Sequence, residues 1–317
     1  MPAVETVNGS IDVEELGRTL IHEHFRTVDE GARFQFPHLY DEQAELDAAL
    51  ADAHAVKGHG IATVVEPSAL FLYRDVEFSK RVADESGLQV VLATGIYTYD
   101  HLPQVFLNRT EDQLAEIFVH DIEQGIQGTE VKAAFIKCAA DAPGVTPNVD
   151  KVHRAAARAS NQTGKPIMAH SRPAGGTGLE QMRIFTDEGV DPAKVQIAHT
   201  GDTDDLDYIE KLLDTGCFIG MDRYGLDLFL PVEPRNATVL ALLERGYADR
   251  MFLSQDYCST IDWFPAEVQE LLKASEVPKW SMTVLFEEVI PELKQRGMTD
   301  AQLDQMMVEN PKRWLGS

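Results

Sequence analysis

Eight short, continuously apolar runs recur along the chain, each followed by a polar residue, a loop and a stretch of helical periodicity. They span residues 19–21, 61–65, 90–93, 133–136, 166–169, 195–198, 217–221 and 251–254. A short apolar run without alternation marks a strand buried on both faces, as in a parallel sheet. The stretches between the runs are amphipathic. Residues 111–125 place Leu114, Ile117, Phe118 and Ile122 on one stripe. Residues 204–216 do the same with Leu206, Ile209, Leu212 and Leu213, with Thr203 as the expected N-cap and Gly216 as the stop. Residues 149–164 are Ala-rich and also end in glycine. Strand and helix alternating in this way predict an α/β fold, a (β/α)8 TIM barrel. Residues 4–16, with Asn8-Gly9 as a turn signal, predict a short N-terminal hairpin. Residues 299–314, capped by Thr299, predict a C-terminal helix. No linker or low-complexity tract interrupts the 317 residues, so 1–317 reads as a single domain.

The residues that close these runs carry the chemistry. The first run ends in His22-Glu23-His24. The two-residue period of a strand puts His22 and His24 on one face and Glu23 on the other. The fourth run ends in Lys137, the fifth in His170, the sixth in His199 and the eighth in Asp256. Barrel active sites are built at the C-terminal ends of strands, and these are not the Val, Ile and Leu that fill a barrel interior. A lone strand-end histidine is commonly structural, and Lys137 alone reads as a snorkelling or ion-paired side chain. Taken together, the set reads as a metal centre. Two divalent ions about 3.5–4 Å apart can share a hydroxide and polarise a carbonyl or phosphoryl oxygen. His22, His24 and Asp256 would hold one ion, and His170 and His199 the other. An anionic bridge is needed between two cations, and Lys137 carboxylated by CO2 would supply it. The other histidines (His38, His54, His59, His101, His120 and His153) read as surface residues. Gly175-Gly176-Thr177-Gly178 reads as a flexible loop rather than an anion-binding turn. The chain has no G-x-S-x-G elbow, no P-loop, no H-E-x-x-H helix and no G-x-G-x-x-G fingerprint.

Composition serves mainly to exclude. With 52 Asp+Glu against 28 Lys+Arg the net charge is -24, which argues against nucleic acid and anionic membrane surfaces as partners. At 44% hydrophobic and 25% charged residues the chain is no disordered polymer. No apolar run is long enough to predict a membrane span. The first ten residues lack a signal-peptide pattern, and Cys138, Cys217 and Cys258 are too scattered for a disulfide framework. A reducing cytoplasm is therefore expected. The sequons at Asn108, Asn161 and Asn236 are then chance matches.

Thr19-Leu20-Ile21-His22-Glu23-His24, the strands ending at Lys137, His170 and His199, and Phe252-Leu253-Ser254-Gln255-Asp256 resemble the phosphotriesterase family of the amidohydrolase superfamily. Gly95-Ile96-Tyr97, Gly201-Asp202-Thr203-Asp204, Ile219-Gly220-Met221-Asp222-Arg223-Tyr224-Gly225 and Asp256-Tyr257-Cys258 are similar, more specifically, to phosphotriesterase-like lactonases. The resemblance runs from about Gly9 to Pro311. It implies a barrel with two divalent ions (zinc, cobalt, iron or manganese) and a homodimer. It implies a small-molecule lactone substrate, notably N-acyl-homoserine lactones (quorum quenching), with promiscuous organophosphate triesterase (paraoxonase) activity. In that chemistry a metal-bridging hydroxide attacks the lactone carbonyl and Asp256 moves the proton. The resemblance matches His22, His24 and Asp256 to one metal, His170 and His199 to the other, and Lys137 to the carboxylated bridge. It sets Tyr97 and Arg223 beside the bridging water and the substrate. A dedicated phosphotriesterase or another metal-dependent esterase is the alternative. A non-catalytic barrel is a third reading, and the intact donor set argues against it.

The chain also departs from its relatives. Gln255 stands where they often carry His before the metal Asp, which removes the side chain a proton relay would use. Phe71 and Tyr73 occupy a loop that is usually built of smaller residues, and they either reshape the pocket or pack outward. Residues 256–278 read as a long loop whose Trp263 and Phe264 either wall an acyl chain or pack at a subunit interface.

Overall fold

The structure is a computed structural model describing residues 2–317. Its first strands, β1 (Ala3–Thr6) and β2 (Gly9–Asp12), form the expected antiparallel hairpin. They are followed by β3 (Thr19–Leu20), β4 (His24–Thr27), β5 (Thr63–Glu66), β6 (Gln89–Gly95), β7 (Phe135–Ala139) and β8 (Ile167–His170). Then come β9 (Val195–Ala198), β10 (Phe218–Met221), β11 (Met251–Leu253) and β12 (Cys258–Ile261). Eight of these form one parallel sheet in the order β3-β5-β6-β7-β8-β9-β10-β11, so every predicted run supplies a barrel strand. Side chains of β5 to β11 are buried on both faces, apart from Gln89 at the start of β6, because helices cover the outside and the barrel fills its own interior.

The seam between the first and last strands is closed by side chains. Among the described residues no ladder joins β3 to β11. Instead His22 N donates to Ser254 Oγ (3.0 Å) and Asp256 N donates to His22 O (3.0 Å). Glu23, on the face opposite the histidines, accepts from Ser254 Oγ, Gln255 N and Tyr257 N at 2.8, 2.8 and 2.9 Å. Above this staple β4 and β12 pair in parallel, His24 beside Cys258. The other end of the barrel is plugged by the hairpin and the C-terminal helix. Trp314 packs on Phe135 and Phe252 with ring centroids 5.5 and 6.0 Å apart, and Val4, Val13 and Leu16 join the same cluster. Function is thereby left to the C-terminal strand ends.

Several expectations need correction. The helix after β9 is Leu206–Leu213, capped by Asp205, whose carboxylate accepts from Tyr208 N; Thr203 accepts only from Asp205 N. Both residues can cap, and Asp205 lies three residues from an orphan helix N–H. Thr299 does cap the C-terminal helix, in a capping box with Gln302. The helix then widens into a π turn at Gln305–Glu309 before Asn310–Leu315. Pro311 has no N–H, and its ring would crowd the carbonyl of Met307 in a regular helix. His153 is fully buried, not a surface residue. It lies on the inner face of Pro147–Thr163, where small Ala neighbours leave room for its ring, and bonds Val149 O (2.7 Å) and Gln181 (2.9 Å). Residues 256–278 are not one loop, since they contain β12 and the helix Ala266–Ser275. No helix among the described residues is long and apolar enough to cross a membrane.

Candidate metal centre

The strand ends bring His22, His24, Lys137, His170, His199 and Asp256 to the edge of one cavity. Asp256 Oδ1 lies 3.3 Å from both His22 Nε2 and His24 Nε2. Asp256 Oδ2 lies 3.8 Å from His199 Nε2. Lys137 Nζ lies 3.0 Å from His22 Nε2, and the His170 and His199 rings are 4.5 Å apart. Ligand atoms of His22, His199 and Asp256 fall within 4.8 Å of one another. All five predicted donors and the lysine thus meet in one place.

Each histidine is gripped by a carboxylate on its far nitrogen. Asp222 takes both His22 Nδ1 (Oδ2, 3.0 Å) and His199 Nδ1 (Oδ1, 3.1 Å). Glu66 holds His24 Nδ1 at 3.0 Å, and Ser68 Oγ lies 2.9 Å from the same nitrogen. Asp141 holds His170 Nε2 at 2.8 Å. A ring N–H donated to a carboxylate leaves the other nitrogen as a lone pair, the tautomer a metal requires. The inward nitrogens are therefore Nε2 of His22, His24 and His199, and Nδ1 of His170. This donor set fits a divalent centre. Burial pushes His170 down to about 4 and His199 well down, so both rings are neutral, the form that a metal would need. Burial also lowers His24, but Glu66 and Asp256 outweigh it and raise the ring to about 9. A proton is favoured between His24 and Asp256 for the reason a cation would be. Burial pushes Lys137 down to about 8, which raises the share of the neutral amine that reacts with CO2.

The anchors Asp222, Glu66 and Asp141 escaped the sequence reading. Glu66 ends β5, and Asp222 follows β10 directly, so the strand-end rule extended to every carboxylate would have found both. Gly220 makes Asp222 possible, since a Cβ there would lie 2.3 Å from its carboxylate. Gly95 has φ +124° and no room for a Cβ, which would meet Lys137 O at 1.9 Å. His199 and Asp256 hold left-handed backbone at φ 62° and 51°. That conformation costs a non-glycine residue about 1–2 kcal/mol. Such strain clusters at functional sites. Here it is secured by His199 N donating to Asp222 Oδ1 at 2.8 Å and by the Asp256 N bond to His22 O.

Tyr97 and Arg223 flank the donors. Tyr97 Oη lies 2.6 Å from Tyr99 Oη and 3.2 Å from His170 Nδ1. Burial holds its hydroxyl protonated, with the Tyr99 hydroxyl beside it adding to the effect. Arg223 bridges two carboxylates: Nε donates to Asp256 Oδ2 at 2.8 Å and Nη1 to Asp202 Oδ2 at 2.9 Å. Gln255 is buried and turned away, its amide donating to Met282 O, so it takes no part in the centre. Phe71 and Tyr73 pack outward, Phe71 on Phe106 and Tyr73 over the Arg26 guanidinium, while Leu72 between them reaches the cavity. Both outward residues adopt positive φ, 76° and 59°, which turns their side chains away.

The cavity above the donors holds about 550 Å³. Apart from the metal-centre groups its wall is largely apolar, with Leu72, Phe229, Ile261, Trp263, Phe264 and Trp280 among the lining residues.

The model of the phosphotriesterase family matches residues 2–315. The aryldialkylphosphatase of Saccharolobus solfataricus is 49% identical over 305 residues, covering 96% of each chain. A phosphotriesterase homology protein of Mycobacterium tuberculosis is 40% identical over 322 residues, covering 99% of this chain and 97% of its own. A solved structure of the phosphotriesterase from Mycobacterium tuberculosis superposes with a TM-score of 0.94 at 39% identity, covering 99% of this chain and 98% of that one. This barrel is a metal-dependent hydrolase, and the chain belongs to the phosphotriesterase family.

Proposed function

We propose that this chain is a binuclear-metal lactonase that hydrolyses N-acyl-homoserine lactones and related lactones, with organophosphate triester hydrolysis as a side activity. One observation carries the reading: a carboxylate-anchored set of four histidines, with Asp256 and Lys137, floors a cavity whose wall is mostly apolar. A neutral ring ester with an aliphatic tail fits both parts. His22, His24 and Asp256 would hold one ion, His170 and His199 the other, and carboxylated Lys137 would bridge them. When bound, the ions supply a hydroxide nucleophile at neutral pH and Lewis-acid polarisation of the carbonyl.

The chain's own groups do the rest. Asp256 presents Oδ1 to the donors while Arg223 holds Oδ2. Oδ1 would hold the ion and Oδ2 stays bound to Arg223, so the carboxylate is fixed where it can move a proton from the attacking water toward the leaving alkoxide. Against the cost of burial, His22, His199 and Arg223 keep Asp256 well below the usual carboxylate range. It therefore passes the proton on rather than storing it. Tyr97 and Tyr99 share one hydrogen bond in which either hydroxyl can donate; with Tyr99 donating, Tyr97 would keep its own proton for a lactone oxygen developing charge. Trp263, Phe264 and Phe229 exclude water from the acyl chain. Three free cysteines, two of them buried, fit a reducing cytoplasm.

Metal-quantified protein should open acyl lactones across a panel of short and long chains with higher kcat/KM than it shows on aryl phosphate triesters. Preference for the triesters would make it a dedicated phosphotriesterase, as the name of the Saccharolobus relative suggests. Activity on neither substrate class would overturn the reading.

We also propose a homodimer. Phe34, Phe36 and Leu39 are 83, 53 and 66% exposed, a cluster of large apolar side chains that a second copy would cover. Light scattering should give twice the monomer mass, and Phe34→Glu with Leu39→Glu should halve it. A wild-type monomer would refute the dimer.

A further inference from the structure

Arg235 lies outside the cavity, fully buried in the first turn of the helix Val232–Glu244. It joins two structures the proposed chemistry depends on. One branch is electrostatic. Arg235 Nη1 and Nη2 both lie 3.1 Å from Asp202 Oδ1, and Asp202 Oδ2 accepts from Arg223, which in turn holds Asp256 Oδ2. Four charges of alternating sign, Arg235 fully buried and the other three partly so, thus run from the helix to Asp256. The other branch is mechanical. Arg235 also donates to Gly201 O, and its Nη2 donates to Leu230 O at 3.1 Å. Leu230 ends the segment whose Leu226 and Phe229 line the cavity. Phe229 closes the loop, since the Arg223 guanidinium lies 4.6 Å from its ring centroid.

We propose that Arg235 is a positioning residue that couples the apolar lip at Leu226–Phe229 to the orientation of Asp256. An acyl chain pressing on Phe229 is thereby felt at the reacting end. The physical basis is the sharing of Arg223. It serves Asp202 and Asp256 together, and Arg235 supplies the second cation that lets Asp202 share it. Without Arg235, Asp202 is left with one cation in a low-dielectric site and competes with Asp256 for Arg223. The polar layer around Arg235 is also sparsely bonded. Tyr224 Oη and Arg235 Nε lack partners, while Asp227 also bonds the backbone of Val232, so Arg235 is one of few polar ties that hold the lip from beneath.

The substrate arm of the test rests on the lactonase reading; the exchange arm does not. Arg235→Met should lower kcat/KM by about 10-fold, the lower end for an outer partner at a metal site, because Arg235 acts through Asp202 and Arg223. The loss should fall on kcat for short-chain lactones and extend to KM for long-chain ones. In metal-free protein, hydrogen exchange should quicken at residues 224–231 and stay unchanged in the strands. Phe229→Ala should add nothing to the chain-length effect of Arg235→Met, because both cut the same coupling. A loss equal at every acyl length, with exchange raised throughout the barrel, would mark Arg235 as merely structural and overturn the proposal. If Arg235→Met does not fold, Arg235→Lys keeps the charge and loses the fork; unchanged exchange at 224–231 in that variant would also overturn it. If the wild type opens no lactone, the substrate reading fails while the exchange result still decides the coupling.

Discussion

Lys137→Ala should lose at least about 100-fold in rate, at or beyond the upper end of what removal of an outer partner costs a metal site. Its metal content should fall from about two ions per chain to about one or fewer, since an anionic bridge is what offsets repulsion between the two ions. The geometry supports a large effect. Lys137 is buried at the end of β7, with Nζ 3.0 Å from His22 Nε2 and 3.3 Å from Met168 Sδ. Among its contacts no carboxylate lies within ion-pair distance, so no ion pair offsets the burial of an ammonium there. A carbamate would explain it. Alanine leaves a gap wide enough for a small carboxylic acid, and added acetate should restore part of the activity and the second ion. Elemental analysis paired with kcat/KM checks both halves. Full metal content and full rate in the alanine variant would remove Lys137 from the centre.

Asp256→Asn should lower kcat by about 10²- to 10⁴-fold, the range for a positioned group that moves protons. Metal affinity should fall less. Asp256 uses its two oxygens differently, Oδ1 toward His22 and His24 and Oδ2 toward Arg223. An amide has only one oxygen. Turned to the histidines it sets its NH2 against Arg223 Nε–H, donor against donor; turned to Arg223 it denies the ion a ligand. Arg223 stays paired with Asp202 either way, so the fold should tolerate the change. Steady-state kinetics at fixed metal occupancy, with a metal titration alongside, separates rate from affinity. A variant of unchanged kcat would show that Asp256 only ligates.

Much of this was legible in the chain. The barrel strands are short and apolar because both faces are buried, and that pattern needs no partner to be read. The strand-end residues His22, His24, Lys137, His170, His199 and Asp256 are equally local, since a polar residue closing an apolar run already defies the core. Thr299 and Gln302 announce their cap within four positions. Where two local signals compete, as with Thr203 and Asp205, the chain does not say which wins.

What the sequence alone determined is therefore the barrel and the polar residues that close its strands, because both follow from periodicity over a few neighbouring residues. Tertiary structure decided how those donors are held. Asp222 reaches His22 across 200 positions, Glu66 reaches His24 across 42, and Glu23 closes the barrel seam against residues more than 230 positions away. It also decided that His153 is buried, that Phe71 and Tyr73 face outward, and that Arg223 is shared between two carboxylates. A hydrogen bond between distant segments exists only once the sheet has set its register and curved toward closure. A strand-end position marks Glu66 and Asp222 as candidates, but only the folded structure shows which histidine each one holds.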